Sequence, residues 1–304
     1  MSEILPPATI SDELPTFHDQ AQSDATMVAL WIDKSESKHT RRNYQRQADA
    51  FLAHLLIKGR SVRSARIVDV QAFMAGLAHL APATRATTAG AIKSLLSFAQ
   101  EVGYSPFNVG KAIKAPSVKT VLAERIMSEA DAMLLVAAGK ASPRNYALIT
   151  LIYGAGLRIS EPCGLRWRDL VARGDAGQVT VYGKGGKTRV VLLSANTWKA
   201  LQAIRPLKTA EINDLPVFLS RKGKGQGHLD PSQVHRIVKA AAADAGLSVN
   251  ISTHWLRHAH ASHSLDRGAP IHLVQSTMGH ASVATTGRYL HARPADSSSM
   301  YLAI

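Results

Sequence analysis

The apolar residues of this chain keep a helical period over most of its length, and the period switches to two in one place, between residues 168 and 193. There Val179-Thr-Val-Tyr182 and Thr188-Arg-Val-Val-Leu-Leu193 flank Gly183-Lys-Gly-Gly-Lys187, which reads as a β-hairpin. A chain patterned this way is mainly helical, with one small antiparallel sheet set among helices. With 304 residues it is long enough for two domains that each bury a core.

The helical segments divide into two groups. In the first, Tyr44, Ala48, Phe51, Leu52, Leu55 and Leu56 share one helix face, and Gly59 is a stop. Asp69 is placed to cap a second helix carrying Val70, Phe73, Met74, Leu77 and Leu80. A third follows Thr84, with Ile92, Leu95, Leu96 and Ala99 inward and Gly103 at its end. Residues 21–112 therefore read as a small helical bundle behind a polar, aperiodic tail over 1–20 that is expected to be disordered. Residues 113–126, with Lys-Ala-Pro-Ser-Val-Lys-Thr, read as an exposed basic linker.

The second group, 127–295, opens at Ser128-Glu-Ala-Asp131, which has the form of a capping box. Ser142-Pro143 starts a helix holding Tyr146, Leu148, Leu151 and Ile152, and Gly154 and Gly156 end it just before Arg158. Asp230-Pro231 starts another. From His254 to Leu290 the chain reads as helices broken at Gly268 and Gly279. Residues 296–304 form a tail, polar and then apolar.

No apolar run reaches the ~18–20 residues of a membrane span, and the first residues lack the order of a secretory signal. A single cysteine, Cys163, excludes an internal disulfide framework and points to a reducing cytoplasm. Its expected role is helix packing beside Arg158. The formal net charge is +14, with basic clusters at 38–46, 58–66, 111–119, 184–189 and 221–224. Charge of this sign spread over both halves implies a polyanionic partner gripped from two sides.

Seven residues then make one chemical proposal: Arg158, Glu161, Lys184, His254, Arg257, His280 and Tyr289. His254-Trp-Leu-Arg257-His258 is followed 23 residues after Arg257 by Met278-Gly279-His280, and nine residues later by Tyr289. That order and spacing resemble the tyrosine recombinase family, the phage integrases and Xer-like enzymes, from about Ser128 to Ala292 and more weakly over the N-terminal third. The resemblance implies a helical, SAM-like core-binding domain followed by a mixed α+β, mainly helical catalytic domain with a small antiparallel sheet. It implies site-specific cleavage and rejoining of double-stranded DNA through a 3′-phosphotyrosyl bond, with no metal, ATP or other cofactor. It also implies a homotetramer on two DNA sites, with accessory proteins open and the C-terminal tail exchanged between subunits or folded back on its own.

The residue types suit that chemistry. The planar forks of Arg158 and Arg257 match non-bridging phosphate oxygens. Tyr289 is the expected nucleophile; a free phenol is ionised only about one part in a thousand at pH 7, so cations and a base must surround it. Tyr301 is the nearest rival. Lys184 matches the family's lysine in the Gly-Lys-Gly turn and is the expected proton donor to the departing 5′ oxygen, with Lys187 the alternative. His254, three residues before Arg257, is expected to accept the tyrosine proton or bind the phosphate, and His280 to donate to a phosphate oxygen. Glu161 is expected to orient the arginines or a histidine. Arg41, Arg42, Arg46, Lys93, Lys187 and Arg189 are the expected further DNA contacts.

Four other readings compete. Gly186-Lys187-Thr188 invites a P-loop, but Val181 stands where that motif needs glycine, and the context is a hairpin. Seven of the thirteen histidines fall between His254 and His291, and His254/His258 and His260/His263 have spacings a zinc site can use. Neither an HExxH motif nor a carboxylate cluster accompanies them, so they read as packing or phosphate-facing residues. Finally, the same reactive set would serve a type IB topoisomerase-like enzyme that religates one strand. A non-cleaving DNA-binding protein on the same fold is the alternative from another class.

Overall fold

The computed structural model describes residues 21–117, 122–183, 186–207, 212–220, 227–248 and 250–290. The chain divides after Thr120 into two compact units. Lys184, Tyr301, the polar segment 1–20 and the tail 296–304 lie outside the described residues, as does part of the basic linker.

Among the described residues the first unit holds four α-helices: α1 (Asp24–Asp33), α2 (Lys38–Ile57), α3 (Ile67–Gly76) and α4 (Pro82–Glu101). Their apolar faces meet in a core around Met27, Trp31, Phe51, Leu55, Phe73, Ile92, Leu95 and Leu96. Trp31 stacks on Tyr44 with centroids 4.1 Å apart, and its indole N–H donates to Ser94 Oγ at 3.1 Å. The helix starts follow local chemistry. Ser23 and Ser37 cap α1 and α2, and Pro82 occupies the first turn of α4.

Two expectations shift here. Asp69 is not the cap residue of α3; it lies in the first turn, where its carboxylate accepts from the Arg66 backbone N–H at 3.0 Å. Leu56 does not join the face of Phe51 and Leu55 but is 75% exposed, since twelve residues beyond Tyr44 the 3.6-residue period has rotated it away from the core.

Among its described residues the second unit contains α5 (Glu129–Ala138), α6 (Pro143–Gly154), the short α7 (Glu161–Gly164), three strands and five more α-helices. The strands β1 (Leu170–Arg173), β2 (Ala176–Tyr182) and β3 (Thr188–Leu193) form an antiparallel sheet in the order β1-β2-β3. The hairpin lies where the period of two places it, with Val181 opposite Arg189; β1 was not foreseen. Gly177, Val179 and Val181 face inward from β2, and Arg189, Val191 and Leu193 alternate on the inner side of β3. Helix α8 (Ala195–Gln202) packs on this sheet through Trp198. A Cβ on Gly177 would lie 2.2 Å from the Trp198 ring, so the close approach requires glycine.

Helix α9 (Pro231–Asp244) begins with a reciprocal capping box between Asp230 and Gln233. Helices α10 (Thr253–Asp266), α11 (Ile271–Met278) and α12 (Val283–Gly287) are the last among the described residues. The main core joins α5, α6, the sheet, α8 and α9 through residues including Leu135, Leu148, Ile152, Trp167, Val179 and Val238. A smaller cluster of Ile126, Ala261, Val274, Met278 and Tyr289 anchors the last helices. No helix among the described residues is long and apolar enough to cross a membrane.

Candidate functional site

The site is organised by the end of α11. Gly279 takes a left-handed conformation, φ 63°, so the Gly279 N–H reaches Ser276 O at 3.0 Å and the His280 N–H reaches Gln275 O at 3.1 Å. This is a Schellman close, and it leaves the next three carbonyls turned outward. Each meets a different arginine. Arg189 Nε donates to Thr277 O at 2.7 Å, Arg257 Nη2 to Met278 O at 2.6 Å, and Arg158 Nη2 to Gly279 O at 3.1 Å. Cations at a helix C-terminus are favoured by the partial negative charge there. The sequence gathers three of them from a loop, a strand and a neighbouring helix.

Glu161 neutralises the cluster from below. Its carboxylate takes two bonds from Arg189, at 2.9 and 2.8 Å, one from the Arg158 side chain at 3.0 Å and one from the Arg158 backbone N–H at 2.7 Å. Burial would raise its pKa, but the hydrogen bonds from Arg189 and Arg158 outweigh burial and hold the carboxyl below the usual carboxylate range. Pro162 sits in the first turn of α7, where a missing N–H costs little. Arg257 is 3% exposed and also donates to Gly156 O; burial and the nearby Arg158 push its pKa down to about 10.

The histidines separate into two groups. His254 and His258 lie one turn apart on α10, with rings 4.7 Å centroid to centroid. His258 Nδ1 is 2.7 Å from the Tyr289 hydroxyl. The His280 ring lies parallel to Tyr289 at 6.4 Å, and its Nδ1 pairs with Thr286 Oγ1 at 2.9 Å. His260 and His263 point instead toward α6: His260 to Tyr153 O, His263 to the Tyr153 hydroxyl and Met127 O. The four α10 histidines that share helical spacings therefore do not converge on one point.

Burial, reinforced by the surrounding cations, shifts the site histidines toward neutrality. His254 is lowered, and His258 and His280 are pushed down to about 4. Tyr289, 6% exposed, is raised by burial and partly offset by Arg257 and Arg288. Cys163 donates to Ile159 O at 3.3 Å, and burial pushes its thiol up to about 11, so it is a packing group and not a nucleophile at neutral pH.

Thus Arg158, Glu161, His254, Arg257, His280 and Tyr289 are gathered in one place. Lys184 is outside the described residues. Lys187 is exposed on the same turn, its carbonyl accepting from Gly183 N–H at 2.7 Å. Arg189, an expected DNA contact, has its guanidinium engaged by Glu161 and Thr277 O, with the side chain 12% exposed. The alternation of β3 carried this signal, since Arg189 shares its side with Val191 and Leu193. Lys93 is also engaged, donating to Ile113 O at 3.1 Å. Arg41 turns back to Ser35 O and pairs with Asp33 at 3.1 Å. Arg42 and Arg46, with His39, Thr40, Asn43 and Thr87, line a concavity of about 580 Å³ between α2 and α4. The sequence reading had not singled out His258 and Thr286 as partners of Tyr289 and His280.

Residues 122–296 match the phage integrase family, and residues 27–103 match the phage integrase N-terminal SAM-like domain. The tyrosine recombinase XerC of Xanthomonas campestris pv. campestris is 30% identical over 305 residues, covering 96% of this chain and 92% of that protein. The tyrosine recombinase XerD of Mycobacterium tuberculosis is 30% identical over 282 residues, covering 86% and 89%. The XerH site-specific recombinase, in a post-cleavage complex with a palindromic difH substrate, shares the fold with a TM-score of 0.70 at 20% identity, covering 90% of this chain and 82% of that one. A clustered arginine–histidine–tyrosine site, carried on a helical unit with a three-stranded sheet and preceded by a four-helix unit, agrees with these matches: the chain belongs to the phage integrase family of tyrosine recombinases.

Proposed function

We propose that this protein is a site-specific DNA recombinase that cleaves and rejoins strands through a 3′-phosphotyrosyl intermediate at Tyr289. The observation that carries the reading is the Tyr289 hydroxyl held beside His258 and His280, within one cluster that includes Arg158 and Arg257. A phosphodiester placed against this cluster meets two guanidiniums, each anchored by one edge to a backbone carbonyl and therefore fixed in orientation. Fixed donors stabilise the charge that builds on the non-bridging oxygens without reorganising during attack. His280 adds a further donor: a Thr286 hydroxyl donating to Nδ1 leaves the hydrogen on Nε2. His254, one turn before His258, is the other donor to the phosphate.

In the forward step the Tyr289 oxygen bonds to phosphorus, the bond to the 5′ oxygen breaks, and Lys184 supplies that oxygen with its proton. A 5′ hydroxyl from a partner strand reverses the step. The bond energy stays in the phosphotyrosine, so neither ATP nor a metal takes part. The partner is duplex DNA bearing a specific site, with four copies of the chain on two sites, acting in the cytoplasm. Residues 21–112 form the core-binding domain and 127–295 the catalytic domain, with 113–126 as the linker and 296–304 as the tail. Arg42 and Arg46, lining the α2–α4 concavity, supply phosphate contacts from the first domain.

The test is trapping of covalent protein–DNA adducts on nicked suicide substrates, with EDTA present throughout. Wild type yields an adduct that survives denaturant, and Tyr289→Phe yields none. Tight binding with no adduct on any substrate would put the non-cleaving reading in its place, and an adduct that persists in Tyr289→Phe would move the nucleophile to Tyr301. Exchange between two duplexes separates recombination from single-strand relaxation.

A further inference from the structure

The Tyr289 hydroxyl is hydrogen-bonded to His258; His254, which the sequence offers as proton acceptor or phosphate ligand, has no hydrogen bond to it among the described residues. The Nδ1 to oxygen distance is 2.7 Å, within reach for direct proton transfer. The His254 ring meets the His258 ring edge-on, with centroids 4.7 Å apart. Thr286 engages His280 Nδ1, and the His280 ring is parallel to Tyr289 without a hydrogen bond to it among the described residues. Of the three site histidines, one alone touches the reacting atom.

We propose, building on the cleavage reading above, that His258 takes the proton from Tyr289 as the phosphotyrosyl bond forms and returns it when the strands rejoin. The Tyr289 O–H bond breaks while the Nδ1–H bond forms, and the electron pair left on the phenolic oxygen makes the new bond to phosphorus. The 5′ oxygen leaves with a proton from Lys184. His258 is then an imidazolium beside a phosphotyrosine. On rejoining, the incoming 5′ hydroxyl displaces the tyrosine oxygen, and Nδ1 gives its proton back to it.

The surroundings set the resting protonation state. His258 faces His254 and Arg257 on its own helix, Arg125 from the turn before α5, His280 after α11, and Tyr289 after α12. Burial and these cations keep the imidazole neutral in the free protein, which is the form able to accept a proton. A phosphodiester entering the site adds negative charge next to the ring and favours the imidazolium. The transfer is therefore coupled to substrate binding and to attack, and no free tyrosinate forms beforehand.

Substitution by asparagine separates proton transfer from positioning, because the amide oxygen can take the place of Nδ1 as an acceptor but cannot carry the proton away. Single-turnover adduct formation on nicked suicide DNA is measured from pH 6.5 to 9 for wild type, His258→Asn, His258→Ala and His254→Asn. Gel-shift affinity on intact duplex and melting temperature are measured alongside. We expect His258→Asn to bind DNA as wild type does and to cleave about 10²–10³-fold more slowly at pH 7. Its rate rises about tenfold per pH unit as hydroxide takes over deprotonation, while the wild-type rate changes little up to pH 8. His254→Asn slows cleavage by the same factor at every pH. Nitrogen NMR of histidine-labelled protein without DNA gives an independent readout, with Tyr289→Phe shifting the His258 Nδ1 resonance and leaving His260 in place.

Wild-type cleavage by His258→Asn, a pH-independent loss, or a new pH slope in His254→Asn overturns the assignment while the cleavage reading stands. An unmoved His258 resonance in Tyr289→Phe overturns the contact itself. Absence of any wild-type adduct overturns the cleavage reading and the proton transfer together.

Discussion

Arg189 and Glu161 form a two-pronged ion pair, 2.9 and 2.8 Å, that ties the inner side of β3 to the first turn of α7. The same guanidinium reaches on to Thr277 O, so one side chain fixes the sheet, the Arg158 loop and the end of α11 relative to one another. Glu161 is 3% and Arg189 12% exposed in their side chains, so water screens the pair weakly.

Removing one partner strands a buried charge. Arg189→Met is expected to lower unfolding free energy by about 3–5 kcal/mol, and Arg189→Met with Glu161→Gln by much less. A double-mutant cycle in urea checks this. The same variant separates positioning from DNA contact. The logarithmic salt dependence of DNA binding should be unchanged in Arg189→Met and shallower by about 0.9 in Arg46→Ala.

Gly279→Ala places a side chain where φ is +63° and 3.2 Å from Arg189 Cδ. The left-handed conformation alone costs about 1–2 kcal/mol for a residue with a Cβ. We expect a lower melting temperature and, because His280 follows directly, a larger fractional loss of adduct formation than of folded protein. Equal losses would show that the end of α11 does not position the site.

Acid should destabilise the second unit before the carboxylates titrate. His258, His260 and His280 have folded pKa values of about 4 against 6.5 for an ordinary histidine. Between those values the unfolded chain binds protons that the folded chain refuses, so stability is present above 6.5 and is lost as pH falls toward 4. Each such group contributes a slope of up to about 1.4 kcal/mol per pH unit. Glu161, lowered from 4.5, adds a further loss below that value. Urea denaturation at pH 7, 6 and 5 measures the slope, and His260→Gln should flatten it by one histidine's share.

The two units have separate apolar cores. Phe51→Ala should cost the first unit about 3–5 kcal/mol, and Leu148→Ala the second about 2–5 kcal/mol. Hydrogen exchange resolved by peptide should show each substitution weakening protection in its own unit alone. The two effects should add in the double variant.

By itself the sequence determined what local chemistry controls. The switch of period between residues 168 and 193 located the β2–β3 hairpin, because alternation is a property of neighbouring residues. Pro143 opened α6 in its first turn and the Asp230-Pro231 cap opened α9, and the spacing of Arg158, His254, Arg257, His280 and Tyr289 supported the family reading. Strand β1 escaped, since Leu170-Val-Ala-Arg173 is too short to show a period and is strand only because β2 pairs with it.

Tertiary structure decided the rest, for a physical reason that recurs at each point. An arginine's role depends on which acceptors reach it through space. The alternation of β3 turns Arg189 inward, but its partners were set only when the fold brought Glu161 and Thr277 O to its guanidinium. Likewise, His254 and His258 sit one turn apart on the same helix, and the sequence singles out His254 by its spacing to Arg257. Only the packing of α12 against α11, with Tyr289 seated beside Met278, aimed the phenol at one of them.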